Sequence, residues 1–257
     1  ATSTGVNYNN ALGYQALYNT TGSKNNAFGY QALSADAAGN FNCAFGHEAG
    51  EATTTGQYNV FMGFAAGKAN TSGGSNIFIG GEAGEANTTG GPNIAIGLRA
   101  LEANTTANNN IAIGHESLIL NTTGANNTAV GHYNLDANTT GSDNTAIGYG
   151  CLQNASTVSY NTAVGRAALL ACTTGYSNTA VGAYALDANT SGHSNVAIGN
   201  NALTSNTTAD NNVAIGKDAM EDNTTGHSNV AIGQNALHNN NSNHNVAIGE
   251  GAMTTAT

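Results

Sequence analysis

A five-residue motif recurs along the whole chain and limits what the chain can fold into. It reads Asn, any residue, a small or aromatic residue, a large apolar residue, then Gly, as in 195–199. The motif ends at Gly13, Gly29, Gly46, Gly63, Gly80, Gly97, Gly114, Gly131, Gly148, Gly165, Gly182, Gly199, Gly216, Gly233 and Gly249. Twelve successive intervals are 17 residues long, and the first and last are 16. Because a short fixed period is typical of solenoids, we expect one coil per repeat.

An asparagine stands four residues before every one of these glycines. The column consists of Asn9, Asn25, Asn42, Asn59, Asn76, Asn93, Asn110, Asn127, Asn144, Asn161, Asn178, Asn195, Asn212, Asn229 and Asn245. Identical side chains at a fixed spacing favour a structural ladder of stacked amides. The glycine column indicates a corner that needs a positive φ or a close approach of two backbones.

Short apolar segments separate the corners from Asn-Thr-Thr-Gly turns. Leu or Met follows the glycine by four residues in twelve coils, and segments this short are typical of strands and not of helices. The pattern predicts an all-β protein, a parallel β-solenoid (β-roll) of fifteen coils of about 17 residues. We expect residues 1–257 to form a single elongated repeat domain, without recognised caps.

Bulky and small residues are exchanged within some coils. Where Ala becomes Phe61 or Phe78, the later Leu becomes Gly67 or Gly84. A related exchange pairs Phe45 with Gly50. The volumes compensate as expected if both positions share one close-packed interior, so we predict two facing strands in each coil.

Charge and composition exclude several classes of function. The formal net charge is −10 and only 8% of the residues are charged, so we expect no nucleic-acid partner and no basic patch for an anionic membrane. No apolar run approaches the ~20 residues that span a bilayer, and we expect no membrane insertion in this segment. Every polar candidate belongs to a repeated column, whereas a catalytic centre needs one place with groups in different roles. We therefore expect no enzyme activity, no catalytic or metal site and no cofactor.

The motif at 195–199, with near copies at 212–216, 229–233 and 245–249, resembles the Val-Ala-Ile-Gly repeat in heads of trimeric autotransporter adhesins. The variant at 161–165, followed by Ala168 and Leu169, is similar to repeats of bacteriophage tail fibres. The resemblance covers all fifteen coils. It implies a left-handed parallel β-roll, three chains packed side by side and a role in surface attachment. The coils here are longer than those common in the adhesin heads, so a single-chain solenoid stays an alternative to the trimer.

The turns also match the acceptor sequence for N-glycosylation. The matching asparagines are Asn19, Asn70, Asn87, Asn104, Asn121, Asn138, Asn189, Asn206 and Asn223, with Asn126, Asn154 and Asn240 in addition. One hypothesis is a row of glycans on one edge. The favoured interpretation is that Asn and Thr bond the backbone of their own tight turns.

An aromatic and histidine stripe directly follows the corner glycines in the first part of the chain. Its members are Tyr14, Tyr30, His47, Phe64, His115, His132 and Tyr149. Such a stripe could bind a glycan or a protein surface, although shielding of the backbone ladder is the simpler interpretation. The paired threonines of the turns raise a third hypothesis, ice binding, which is disfavoured because a flat strand face needs alternate threonines.

These observations predict a structural fibre or filament segment that spaces or displays a binding surface. An adhesin acting through the Tyr/His stripe is the alternative. The expected partners are further copies of the chain, in a homotrimer or an end-to-end filament, together with a cell-surface glycan or protein. The expected location is extracellular, on a cell surface or on a virion.

Overall fold

The chain is all-β, and the computed structural model describes residues 8–254. The first seven strands are β1 Asn10–Leu12, β2 Asn26–Phe28, β3 Cys43–Phe45, β4 Val60–Met62, β5 Ile77–Ile79, β6 Ile94–Ile96 and β7 Ile111–Ile113. The others are β8 Thr128–Val130, β9 Thr145–Tyr149, β10 Thr162–Arg166, β11 Thr179–Val181, β12 Val196–Ile198, β13 Val213–Ile215, β14 Val230–Ile232 and β15 Val246–Ile248. Over this range, no helix has the length and apolar character that crossing a membrane requires.

Two compact units make up the chain, Ala1–Asn127 and Thr128–Thr257. In the first unit each of strands β1 to β6 pairs in parallel with the next, as far as β7, and Ile77 lies opposite Ile94 as an example. In the second unit strands β8 to β15 do the same, with Val196 opposite Val213. Within each unit, a strand thus pairs with the strand of the next repeat along the chain. This pairing confirms the predicted parallel β-solenoid. The single domain over residues 1–257 and the left-handed coil stay predictions.

Most strands are three residues long because a corner glycine follows them, whereas β9 and β10 continue past their glycines. Gly97 has φ +135°, and a Cβ built on it would lie 2.6 Å from the carbonyl oxygen of Gly114 in the next coil. Both predicted reasons for glycine, a positive φ and a close backbone approach, therefore apply at this corner. The glycine allows the chain to turn while consecutive coils stay one strand spacing apart.

Alternation along each strand decides which side chains enter the core. Successive residues of a strand point to opposite faces, so the central Ala95 is fully buried while Ile94 and Ile96 are partly exposed. Ala100 and Leu101, which follow the corner, are fully buried on the other side of the coil. A thin core of Ala and Leu therefore fills a coil of this kind.

The predicted second strand, which carries the Leu, is absent from the described coils, and that prediction is wrong. The segment after the corner is a series of turns, in which Arg99 has φ +57° and Leu101 has φ +55°. Left-handed backbone at alternate positions cannot continue a β-strand. The coils still stack there, since the N–H of Leu101 donates to the carbonyl of Ser117 at 3.0 Å.

The exchange of Phe for Ala and Gly for Leu does reflect a shared interior. A Cβ on Gly84 would lie 2.6 Å from the ring of Phe78, and one on Gly67 would overlap the ring of Phe61. The predicted pairing of Phe45 with Gly50 is wrong, because Phe45 points outward and is 49% exposed. A Cβ on Gly50 would instead overlap Phe61 of the next coil. Compensation of volume therefore extends between consecutive coils.

Candidate functional surfaces

The asparagines before the corners connect each coil to the next by two kinds of hydrogen bond. The Oδ1 atom of Asn93 accepts the backbone N–H of Asn110 at 2.9 Å, and its Nδ2 donates to the carbonyl of Ala107 at 2.8 Å. In the second unit Asn178 accepts the backbone N–H of Asn195 at 3.0 Å. Direct amide bonds along the column accompany these at some coils, such as Asn195 Nδ2 to Asn178 Oδ1 at 3.2 Å. The main link is therefore from side chain to backbone, and both amide atoms are used.

The turn asparagines form a second column, seven residues after the corner glycine. Asn104 is fully buried, and its Nδ2 donates to Asn87 Oδ1 at 2.7 Å and to the carbonyl of Ala107 at 3.3 Å. Full burial is shared by Asn70, Asn87, Asn104, Asn121, Asn138, Asn189, Asn206, Asn223 and Asn240. Asn19, by contrast, precedes this column by one residue and is exposed. An N-linked glycan needs a solvent-accessible Nδ2, so among the nine glycosylation candidates only Asn19 presents an exposed side chain.

The two threonines of each turn have different environments. The hydroxyl of Thr88 donates to the carbonyl of Thr105 in the next coil at 2.9 Å, and Thr105 is bonded in the same way to Thr122 at 3.2 Å. The second threonine, such as Thr89 or Thr106, is exposed. The first threonine of such a pair therefore uses its hydroxyl in a bond to the next coil, and only the second threonine presents its hydroxyl to solvent. An ice-binding array instead needs a flat face with several aligned threonines.

The aromatic stripe is a continuous stack only in its first four members. Ring centroids are 5.2 Å apart for Tyr14 and Tyr30, 4.8 Å for Tyr30 and His47, and 5.5 Å for His47 and Phe64. The interplanar angles are 15°, 16° and 30°, so the inner rings contact their neighbours with both faces. A sugar packs its C–H groups against a ring face. The stack therefore offers ring edges and polar tips to a partner, and few ring faces.

The remaining stripe residues are separate from that stack. His115 lies beside Glu116, with Nε2 and Oε1 3.8 Å apart. In the second unit, His132 and Tyr149 both contact the ring of Tyr133, at centroid distances of 6.4 and 5.8 Å. The structure thus brings together Tyr14, Tyr30, His47 and Phe64, and the next two positions of the column are Gly81 and Leu98, which have no ring.

The outer face of the sheet has no charged side chain at the first and third positions of its strands, although Arg166, the fifth residue of β10, is exposed. Each strand presents its first and third residues outward, and none of these thirty positions is Asp, Glu, Lys or Arg. The first unit has apolar residues at Val60, Met62, Ile77, Ile79, Ile94, Ile96, Ile111 and Ile113. The second unit has them at Val196, Ile198, Val213, Ile215, Val230, Ile232, Val246 and Ile248. We call this surface the outer sheet face, and a contiguous exposed apolar surface of this kind marks an interaction site.

Charged side chains gather at the turns after the corners in the first unit. Arg99 contacts Glu102 at 2.6 Å and Glu116 at 3.0 Å, and Lys68 contacts Glu48 at 2.6 Å. Carboxylate oxygens of Glu82, Glu85 and Glu102 lie within 4.8 Å of one another. Burial, together with the charges of Glu82 and Glu102, raises the pKa of Glu85. Arg99 and Lys68 partly neutralise this acidic edge.

Three features of these surfaces were not predicted from the sequence. The Val-Ala-Ile alternation could have indicated that the large apolar residues face outward, because Ala alone cannot cover both faces. The burial of the turn asparagines has no local signal, since Asn is equally common in exposed turns. Ring pairs outside the stripe, such as Phe41 with Tyr58 at 4.9 Å, follow from the 17-residue spacing once the register is known.

No family model, curated protein or solved structure matches this chain. The resemblance to adhesin heads and phage tail fibres accordingly stays a prediction.

Proposed function

We propose that the chain is a structural segment of an extracellular or virion-borne fibre, whose coils space or display a binding surface. The observation that carries this proposal is the uniformity of the hydrogen-bonded columns. Within each unit, the same asparagine-to-backbone bond recurs at almost every coil, at 2.8–3.1 Å. Repetition of this kind gives a uniform stack of nearest-neighbour contacts, which suits a mechanical role.

The partner that best fits the outer sheet face is another copy of the same chain. Copies that each carry a formal charge of −10 repel one another except through an uncharged surface. Strands of three residues, spaced by ~4.8 Å, give each unit an apolar face of roughly 300 Å². We therefore place side-by-side association on the outer sheet face.

Adhesion through the aromatic stripe is the second candidate function. The observation in its favour is the exposure of Tyr14 and Phe64, at 63% and 54%, at the two ends of the four-ring stack. Among the described residues, each of these end rings has one face on which no other ring is stacked. A bound sugar ring would stack there, and not along the sides of the column.

Light scattering and electron microscopy of the same purified sample test the proposal. A discrete particle near three chain masses supports the adhesin-like trimer. Long threads one chain wide support a filament built by stacking of the ends. A monomer at all concentrations would contradict self-association, and particles that bend freely along the repeat would contradict the spacer role.

A further inference from the structure

One carboxyl group lies inside the column of turn asparagines. Asp36 occupies the position seven residues after Gly29, where nine other coils have Asn, and its side chain is fully buried. The other occupants of the column are uncharged, as at Thr20 and Thr53. A charge at this depth requires a compensating partner, because desolvation disfavours the ionised form.

The contacts of Asp36 are all with neutral groups. Its Oδ2 accepts from Asn25 Nδ2 at 2.7 Å and from the hydroxyl of Thr20 at 3.4 Å. Its Oδ1 accepts the backbone N–H of Gly39 at 2.8 Å. The hydroxyl of Thr53, which holds the same position in the next coil, is buried without a hydrogen-bond partner. Several hydrogen-bond donors thus surround the carboxyl, but no cation among the described residues contacts it. The nearby hydroxyl oxygen of Thr53 has no hydrogen-bond partner.

We propose that Asp36 is a proton-binding site inside the solenoid. The coil that contains it, residues 30–46, is then more stable against local opening when this carboxyl is protonated than when it is ionised. Burial is the largest cause, and it raises the pKa of Asp36 from 3.8 to about 6 despite the hydrogen bonds from Gly39 and Thr20, which lower it. The other basic and acidic side chains of the same and adjacent coils are Lys24, His47, Glu48 and Glu51, and no hydrogen bond or ion pair joins any of them to Asp36.

The direction of the pH effect follows from the two pKa values. Below pH 3.8 the carboxyl is protonated in both the closed and the open coil, and stability is greatest. Between pH 3.8 and about 6 the carboxyl is ionised in the open coil but still protonated in the closed coil, so the stability of the closed coil falls as the pH rises. Above about pH 6 the carboxyl is ionised in both states and the stability stays low. The two pKa values differ by about two units, which corresponds to about a hundredfold change in the equilibrium constant for opening this coil.

Hydrogen exchange followed by mass spectrometry tests this proposal on the full chain. After correction for intrinsic exchange rates, the protection of residues 30–46 should be about a hundredfold higher at pH 4 than at pH 7.5. In Asp36→Asn, which restores the residue found in nine other coils, the protection should be the same at both pH values. Residues 183–199, whose turn residue is Asn189, are the internal control. Equal pH ratios in wild type and Asp36→Asn would overturn the proposal.

A direct titration keeps the test decisive if Asp36→Asn fails to fold. The carbon-13 chemical shift of the Asp36 carboxyl group reports its protonation in the wild-type chain. A midpoint near pH 6 supports the proposal, and a midpoint below pH 4 overturns it. Neither result depends on the proposed fibre role, so the two ideas can fail separately.

Discussion

The aromatic ring of Phe61 fills the space that a side chain would need at Gly67 in the same coil. The same ring also occupies the space beside Gly50 of the preceding coil. Phe61 is fully buried, as is Phe78 next to Gly84. One large side chain thus replaces the Leu of two consecutive coils. The interior is one shared volume, and a residue can change size only if its neighbours compensate.

The variant Gly67→Leu should overpack this interior and lower the free energy of unfolding by about 1–3 kcal/mol. Leucine itself suits the backbone, because Leu101 and Leu118 hold the same position with φ +55° and +53°. Adding Phe61→Ala should recover most of the loss, since Ala with Leu is the usual pair. Chemical denaturation of the single and double variants measures the coupling. Additive effects of the two substitutions would contradict a shared interior.

Replacing Asn110 with Leu should destabilise the first unit by about 1–3 kcal/mol for each buried group left unpaired. The substitution leaves the N–H of Asn127 and the carbonyl of Gly124 without their side-chain partners, now at 2.9 and 2.8 Å. Thermal unfolding checks the expectation, with Thr106→Leu on the exposed turn position as the matched control. If both variants unfold at the wild-type temperature, the ladder contributes little to stability.

The sequence predicted the coils well because their signals are stereochemical and repeat fifteen times. A residue with φ near +135° whose Cβ would overlap the next coil has to be glycine, so the corner at Gly97 is recognisable from its column alone. The segment around Leu101 was misjudged for the opposite reason. Non-glycine residues rarely adopt φ +55°, and at this position the stacked neighbours impose it, which no local propensity reveals.

The candidate surfaces were predictable only in part. The 17-residue spacing correctly indicates that Tyr30 and His47 are neighbours, because in-register stacking places equal positions one coil apart. Burial could not be derived in that way. Asn104 and Asn19 both begin an Asn-Thr-Thr sequence, yet one is fully buried and the other is exposed, because the first repeat interval is one residue shorter.

Expression in a host that attaches N-linked glycans should therefore modify Asn19 and spare Asn104 in the folded chain. The Nδ2 of Asn104 already donates two hydrogen bonds in a buried column, whereas the side chain of Asn19 is exposed. Mass spectrometry of the peptides measures occupancy, with Asn19→Gln as the control. A glycan on Asn104 in soluble, folded protein would show that the turn column opens.

A pair of lysines on the outer sheet face should prevent self-association without unfolding the chain. Ile79 and Ile96 are adjacent, partly exposed and outward-facing, so Ile79→Lys with Ile96→Lys places two like charges in the proposed contact. Light scattering should show a fall from the oligomer to the monomer mass. The matched control is Thr89→Lys with Thr106→Lys, which adds the same charge to the exposed turn column. An unchanged oligomer in the first variant would place the contact elsewhere.

Removal of one whole coil tests most directly the claim that the chain is a uniform stack with a spacing role. Deleting residues 98–114 joins two corners in register and restores every column, whereas deleting 98–105 shifts all of them by about half a coil. The account predicts that the 17-residue deletion keeps the β circular dichroism spectrum and cooperative unfolding within a few degrees of wild type, and that the eight-residue deletion loses both. If the whole-coil deletion unfolds as badly as the shorter one, the coils are not interchangeable and the account is wrong.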